Sequence, residues 1–156
     1  MTRINTIDVK DLTDQHLMAE YRELPMVMAA LRRSLKTQSI NFILAKIPST
    51  YTLNKGHVTF FYDKGTFLSR RYNKLITELY LRGYNINPYD RDVSFGVHQD
   101  QPVLNQNWAP SSQDHIINIA RIVERVGQRS GFYRVRGQLV NSDQYIDMLS
   151  KKYEVI

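Results

Sequence analysis

Residues 16–25 read HLMAEYRELP and gather His16, Glu20, Arg22 and Glu23 on about two turns of a prospective helix. At 100° per residue, His16, Glu20 and Glu23 share one shoulder of an apolar stripe, and Arg22 and Met26 lie nearly opposite it. A carboxylate on such a shoulder is partly desolvated, which raises its pKa and suits it to acid/base work. The competing reading is an ordinary solvated shoulder. With His57 or Asp63, the same residues also supply ligand types for a divalent ion, but their spacing matches no standard metal motif.

Two further groups carry chemistry. Arg121 and Arg125 form an i,i+4 pair of like charges on one predicted helix face, with Asn118 beside them and Glu124 pointing elsewhere. Such a pair is mildly destabilising alone, and a phosphate backbone turns the repulsion into attraction. Arg129, Arg134 and Arg136 continue the basic track through RSGFYRVRG, residues 129–137, with Phe132 and Tyr133 interleaved. Arginine forks position phosphates, and aromatics stack on bases or wedge between them. The alternative is a solvated face with two core aromatics. The other group is the chain start, MTRIN. Small second residues permit removal of Met1, which would leave Thr2 with a free α-amine. Its pKa is typically about 8, roughly two units below lysine, so a useful fraction is unprotonated at neutral pH. Such an amine can attack a carbon at the carbonyl level of oxidation and form an imine. Arg3 beside it would lower that pKa and could hold a phosphate.

The elements that must position these groups are predicted to be helices. Leu17, Tyr21, Leu24, Met28, Leu31 and Leu35 recur at spacings of three and four, which predicts a helix over 13–36 capped by Thr13 or Asp11. Pro25 predicts a kink inside it. Leu68, Tyr72, Leu75, Ile76 and Leu79 predict a second helix over 64–82, with Asp63 as candidate cap and Gly83 just past its end. A third is expected over 113–127, with Ile116, Ile119, Ala120 and Val123 inside. HVTFFYD, 57–63, has strand-like residues. Residues 84–112 read as a long irregular surface segment, and 141–156 as a tail with a short helix around 145–152. The expected fold is all-α, one compact domain of three main helices with long irregular connections. The domain spans 1–140, and 141–156 is a tail without an assigned role.

The 156 residues suffice for one domain with a real core, and 42% are hydrophobic. Lys+Arg outnumber Asp+Glu by 21 to 15, a formal charge of +6 that suits nucleic acid first and an anionic membrane surface second. Cysteine is absent, which excludes disulfides, thiolate catalysis and Cys-based metal centres. No apolar run approaches membrane-helix length, and the first residues have no signal-peptide core.

MTRIN, DQHLMAEYRELP at 14–25, GHVTFFYDK at 56–64, RGYNI at 82–86 and the AR…QR…Y pattern at 120–133 together resemble the phage pyrimidine dimer DNA glycosylases, the UV-repair endonuclease V family. The resemblance spans residues 1–137, with long motifs in the family's order. It implies a compact all-α domain that excises cis-syn cyclobutane pyrimidine dimers from double-stranded DNA and nicks the resulting abasic site. In that scheme Thr2 attacks C1′ through its α-amine, and Glu23 assists base loss and β-elimination. Arg3, His16, Arg22, Arg121 and Arg125 hold phosphates of a kinked duplex whose adenine opposite the dimer is flipped out. The resemblance implies no cofactor, no metal and no membrane. It implies a monomer working in the cytoplasm of a bacterial host. The chain departs from the family at Met26, usually arginine, and at Val135 and Arg136, usually aromatic. Those departures keep a non-catalytic damaged-DNA-binding module in view beside the enzyme. The shoulder chemistry keeps a metal-dependent nuclease in view as well.

Overall fold

The first long helix begins where a side chain can close it. The Thr13 hydroxyl accepts the His16 N–H at 3.1 Å, so Thr13 is the cap and α1 runs Asp14–Leu35. The computed structural model describes residues 3–88 and 101–155. Five more helices follow within them: α2 Ile40–Ala45, α3 His57–Phe60, α4 Gly65–Leu81, α5 Ser112–Gln128 and α6 Ser142–Lys152. The three long ones, α1, α4 and α5, match the expected helices. Strands β1 Arg134–Val135 and β2 Gln138–Leu139 form one antiparallel hairpin. The fold is therefore mostly α. Among the described residues, no helix is long and apolar enough to cross a membrane.

The stripe of α1 buries Leu17, Tyr21, Leu24, Met28 and Leu31, and packs on α4 through Leu68, Tyr72, Leu75 and Leu79. Tyr21 and Tyr72 stack across that seam at 5.6 Å. Pro25 brings no N–H to the backbone ladder, yet α1 continues through it to Leu35.

Several local expectations change. HVTFFYD is not a strand. Gly56, at φ +97°, starts a single helical turn, and short apolar runs cannot be told apart by periodicity alone. Asp63 does not cap α4; it pairs with Lys64 at 2.8 Å, and Lys64 holds the cap position. Gly65 opens α4 because a Cβ there would lie 2.6 Å from Asn105 Oδ1. Of the segment 84–112, residues 89–100 lie outside the described residues. Past them Leu104 is buried and Trp108 packs against Tyr51, Phe60, Phe61 and Phe67, so that part belongs to the core. The inner face of α5 is rotated from the expected one. Asn118, Ile119, Ile122 and Val126 are buried, whereas Ile116 and Ala120 are exposed. The tail folds back as α6: Tyr145 donates to the Asp11 carbonyl at 2.6 Å, and Tyr153 to the Asp11 carboxylate at 2.6 Å.

The N-terminal segment is threaded through this frame. Six consecutive N–H groups, Arg3 to Asp8, donate to side chains rather than to a strand or helix. Their acceptors are Glu23 and Glu20 on α1, His57 on α3, Asn118 on α5 (for both Thr6 and Ile7) and the Tyr153 hydroxyl. Ile4 and Ile7 are fully buried. Burying an extended segment demands this degree of backbone satisfaction.

A buried ion pair anchors the arrangement. Arg71 grips Glu20 with two N–H groups, at 2.7 and 3.0 Å, and donates a third to the Ile7 carbonyl at 2.6 Å. The Asn5 amide completes the carboxylate at 2.7 Å. Glu20→Gln leaves Arg71 buried without its counter-charge, and is expected to cost about 3–5 kcal/mol of stability. Urea unfolding measures this, and a loss below about 1 kcal/mol would contradict a buried pair.

Candidate active site

A cleft of about 460 Å³ opens between the N-terminal segment, α1, α5 and the residues leading into β1. Its walls include Arg3, His16, Glu23, Arg121, Arg125 and Tyr133. Six residues singled out from the sequence therefore meet in one place. Arg22 does not line the cleft; it is exposed on the outer side of α1, as the helical wheel predicts. Met26 follows one turn later at 56% exposure, so an apolar side chain faces solvent on that same side. Thr2 lies outside the described residues.

Glu23 faces the backbone of the N-terminal segment. Its Oε2 accepts the Arg3 N–H at 2.9 Å. Glu20, one turn earlier, takes no part in open chemistry. It is buried, and its oxygens are taken by Asn5 and Arg71. The two shoulder carboxylates thus differ: both border the cleft, but Glu20 is a buried anchor bound to Arg71 and Asn5, whereas Glu23 meets the Arg3 backbone. The anchoring also removes the ligand set His16, Glu20 and Glu23 considered for a divalent ion. His57 is likewise committed: its Nδ1 lies 2.6 Å from the Thr52 carbonyl, and its Nε2 accepts the Ile4 N–H at 2.8 Å. Those partners fix the ring as the neutral Nδ1–H tautomer.

Positive charge crowds the cleft. Burial, and then the neighbouring Arg121, hold the Arg3 guanidinium below its ordinary value, against the opposing pull of Glu23. Arg121 pairs with Glu124 at 3.3 Å, the residue that neighbours Arg125 in sequence. Asn118, expected beside the arginines on the polar face, is instead buried beneath them. Its carbonyl oxygen accepts from Thr6 and Ile7, and its amide donates to Asn5 at 2.8 Å. Arginines brought together without an equal number of carboxylates favour an anionic ligand.

His16 sits flat against Tyr133, ring centroids 4.9 Å apart and planes 3° from parallel. Its Nδ1 lies 2.7 Å from the Thr13 hydroxyl. Burial, assisted by Arg125, pushes its pKa down to about 4. The ring is therefore neutral at pH 7 and borders the cleft without adding a charge. Phe132, next to Tyr133, is 40% exposed, with the Arg129 guanidinium 3.7 Å over its ring.

A model of the pyrimidine dimer DNA glycosylase family matches residues 1–92, which hold the N-terminal segment, α1, α3 and α4. The chain belongs to the pyrimidine dimer DNA glycosylases. Its general function is accordingly that of a DNA repair glycosylase, with damaged DNA as partner. Sequence reasoning misplaced Asn118 and missed Asn5, Tyr51 and Arg71, which hold the N-terminal segment against the frame. One signal was available. Arg71 falls between Leu68, Tyr72 and Leu75 on the inner face of α4, and a charge there demands a buried partner.

Burial and Arg125 lower His16 to about 4; burial, with Arg3 adding and the Thr52 bond opposing, brings His57 to about 4 as well. Both folded-state values lie below the unfolded 6.5, so the unfolded chain binds protons first as pH falls. Their stabilisation is complete above pH 6.5 and is lost between 6.5 and 4. The slope is up to about 1.4 kcal/mol per pH unit for each histidine. Urea midpoints across that range and NMR titration of the imidazoles check this; either ring titrating near 6.5 would contradict its burial.

Proposed function

We propose that this glycosylase is bifunctional, excising cis-syn pyrimidine dimers and then cleaving the abasic strand through an imine on the Thr2 α-amine exposed by removal of Met1. The carrying observation is the Arg3 N–H held on Glu23 inside an arginine-lined cleft, because Arg3 follows Thr2 in the chain. The amine nitrogen attacks C1′ of the dimer's 5′ nucleotide, and the glycosidic bond breaks, its electron pair leaving with the base. The amine's proton passes to O4′ as the C1′–O4′ bond opens, leaving a 4′-hydroxyl and an imine. The Glu23 carboxylate then removes a C2′ proton, and the 3′ phosphate departs by β-elimination. Water hydrolyses the imine and frees the amine. Beforehand, the same carboxylate stabilises the cationic sugar.

Arg3, Arg121 and Arg125 bind phosphates at the cleft, and Arg22 does so from the outer side of α1. His16 serves as a neutral donor. The protein acts as a monomer, without metal or cofactor, in the cytoplasm of a bacterial host. A damaged-DNA-binding module without turnover is the second reading. The exposed Met26, where the family usually has arginine, favours it.

Borohydride trapping on a duplex with one cis-syn dimer, in EDTA and with mass mapping, tests the mechanism. A covalent adduct on Thr2, absent with undamaged DNA, is expected. Tight binding without an adduct would favour the module. Glu23→Gln should keep dimer binding but lower incision by about 10²–10⁴-fold. Arg121→Ala and Arg125→Ala should each flatten the log–log salt dependence of binding by about one unit. An unchanged slope would remove that arginine from the phosphate contacts.

A further inference from the structure

Three consecutive residues at the start of α1 reach the hairpin in three different ways. Asp14 is buried, and its carboxylate accepts the N–H groups of Arg136 and Gly137 at 3.0 and 2.9 Å. Those are the turn residues between β1 and β2, at φ +49° and +77°. A two-residue turn with both φ values positive suits tight hairpins, and the carboxylate satisfies the donors it presents to the protein. Gln15 brackets Tyr133. Its Nε2 donates to the Phe132 carbonyl at 2.8 Å, and its Oε1 accepts the Arg134 N–H at 3.0 Å. His16 stacks on the Tyr133 ring itself.

Asp14 is in turn fixed from behind. Arg82, its side chain fully buried, donates to Asp14 and to Glu78, each at 2.9 Å. It also donates to the Leu12 carbonyl at 2.8 Å, while Glu78 accepts from the Arg136 guanidinium at 3.2 Å. A hairpin with two residues per strand is not stable by itself, so these attachments decide where it sits. Phe132 and Tyr133, immediately before β1, both line the cleft.

The geometry points to Asp14 and Gln15 as positioning residues that dock this hairpin and thereby set the aromatic wall of the cleft against which a damaged strand is read. They act through Phe132 and Tyr133, and both ends of the Gln15 amide are already occupied by the hairpin backbone. The docking stands on the contacts alone, and its consequence for lesion discrimination rests on the proposed function.

Gln15→Met keeps length and removes both hydrogen bonds; Asp14→Asn places an N–H against the turn donors. In each, NMR titration of His16 reports docking directly, because releasing Tyr133 uncovers the imidazole. We expect His16 to rise from about 4 toward 6.5 while His57, away from the hairpin, stays near 4 and confirms an intact fold. Preference for a dimer-bearing over an undamaged duplex of the same sequence should fall about tenfold, the scale of one or two net hydrogen bonds. His16 titration unmoved in both variants would overturn the docking role. A released His16 with full discrimination would overturn the role in recognition. Wild type lacking any preference for the dimer would refute the functional reading instead, and the His16 titration would still judge the docking.

Discussion

The buried pair between Glu20 and Arg71 is the constraint from which the cleft is built. One carboxylate on α1 and one guanidinium on α4 join the two helices with the most extensive contact. Their remaining valences reach the Asn5 amide and the Ile7 carbonyl. An isolated buried pair of this kind contributes little net stability, because desolvation offsets attraction. What it contributes here is register. Among the described residues the N-terminal segment has no partner strand, and side chains fix which residue lies where. With Asn5 set by Glu20, Arg3 falls at Glu23 and Ile4 at His57.

The cleft illustrates the opposite arrangement. Its arginines are drawn together, and burial first, then the neighbouring Arg121, lower Arg3 from its ordinary value against the pull of Glu23. Folded structure tolerates such crowding where a ligand supplies the missing charge. The neutral histidines fit the same scheme. A protonated His16 beside Arg125 would add to the repulsion, and burial keeps the proton off.

Much of this was legible in the residues. The α1 stripe, the Thr13 cap and the cleft lining by Arg3, His16, Glu23, Arg121 and Arg125 follow from spacing and from family resemblance. What spacing could not separate was Glu20 from Glu23. They sit on the same shoulder, and only the arrival of Arg71, 51 residues later, makes one an anchor. Asn118 was assigned to the polar face of α5 because asparagine is usually exposed there. It turns inward because an extended backbone segment needs its oxygen. HVTFFYD has strand-like residues yet forms a helical turn: its aromatic residues pack around Tyr51 and Trp108, and that tertiary cluster overrides strand propensity.

The side-chain harness around residues 3–8 also sets an order of events during synthesis. Thr6 waits for Asn118, 112 residues downstream, and Asp8 waits for Tyr153, 145 residues downstream. Residues 3–8 are thus among the last parts of the domain to find their partners, whatever the helices do meanwhile. At about 5–20 residues per second, Asn118 emerges several seconds or more after Thr6, and for that interval the Thr6 N–H is without its native acceptor.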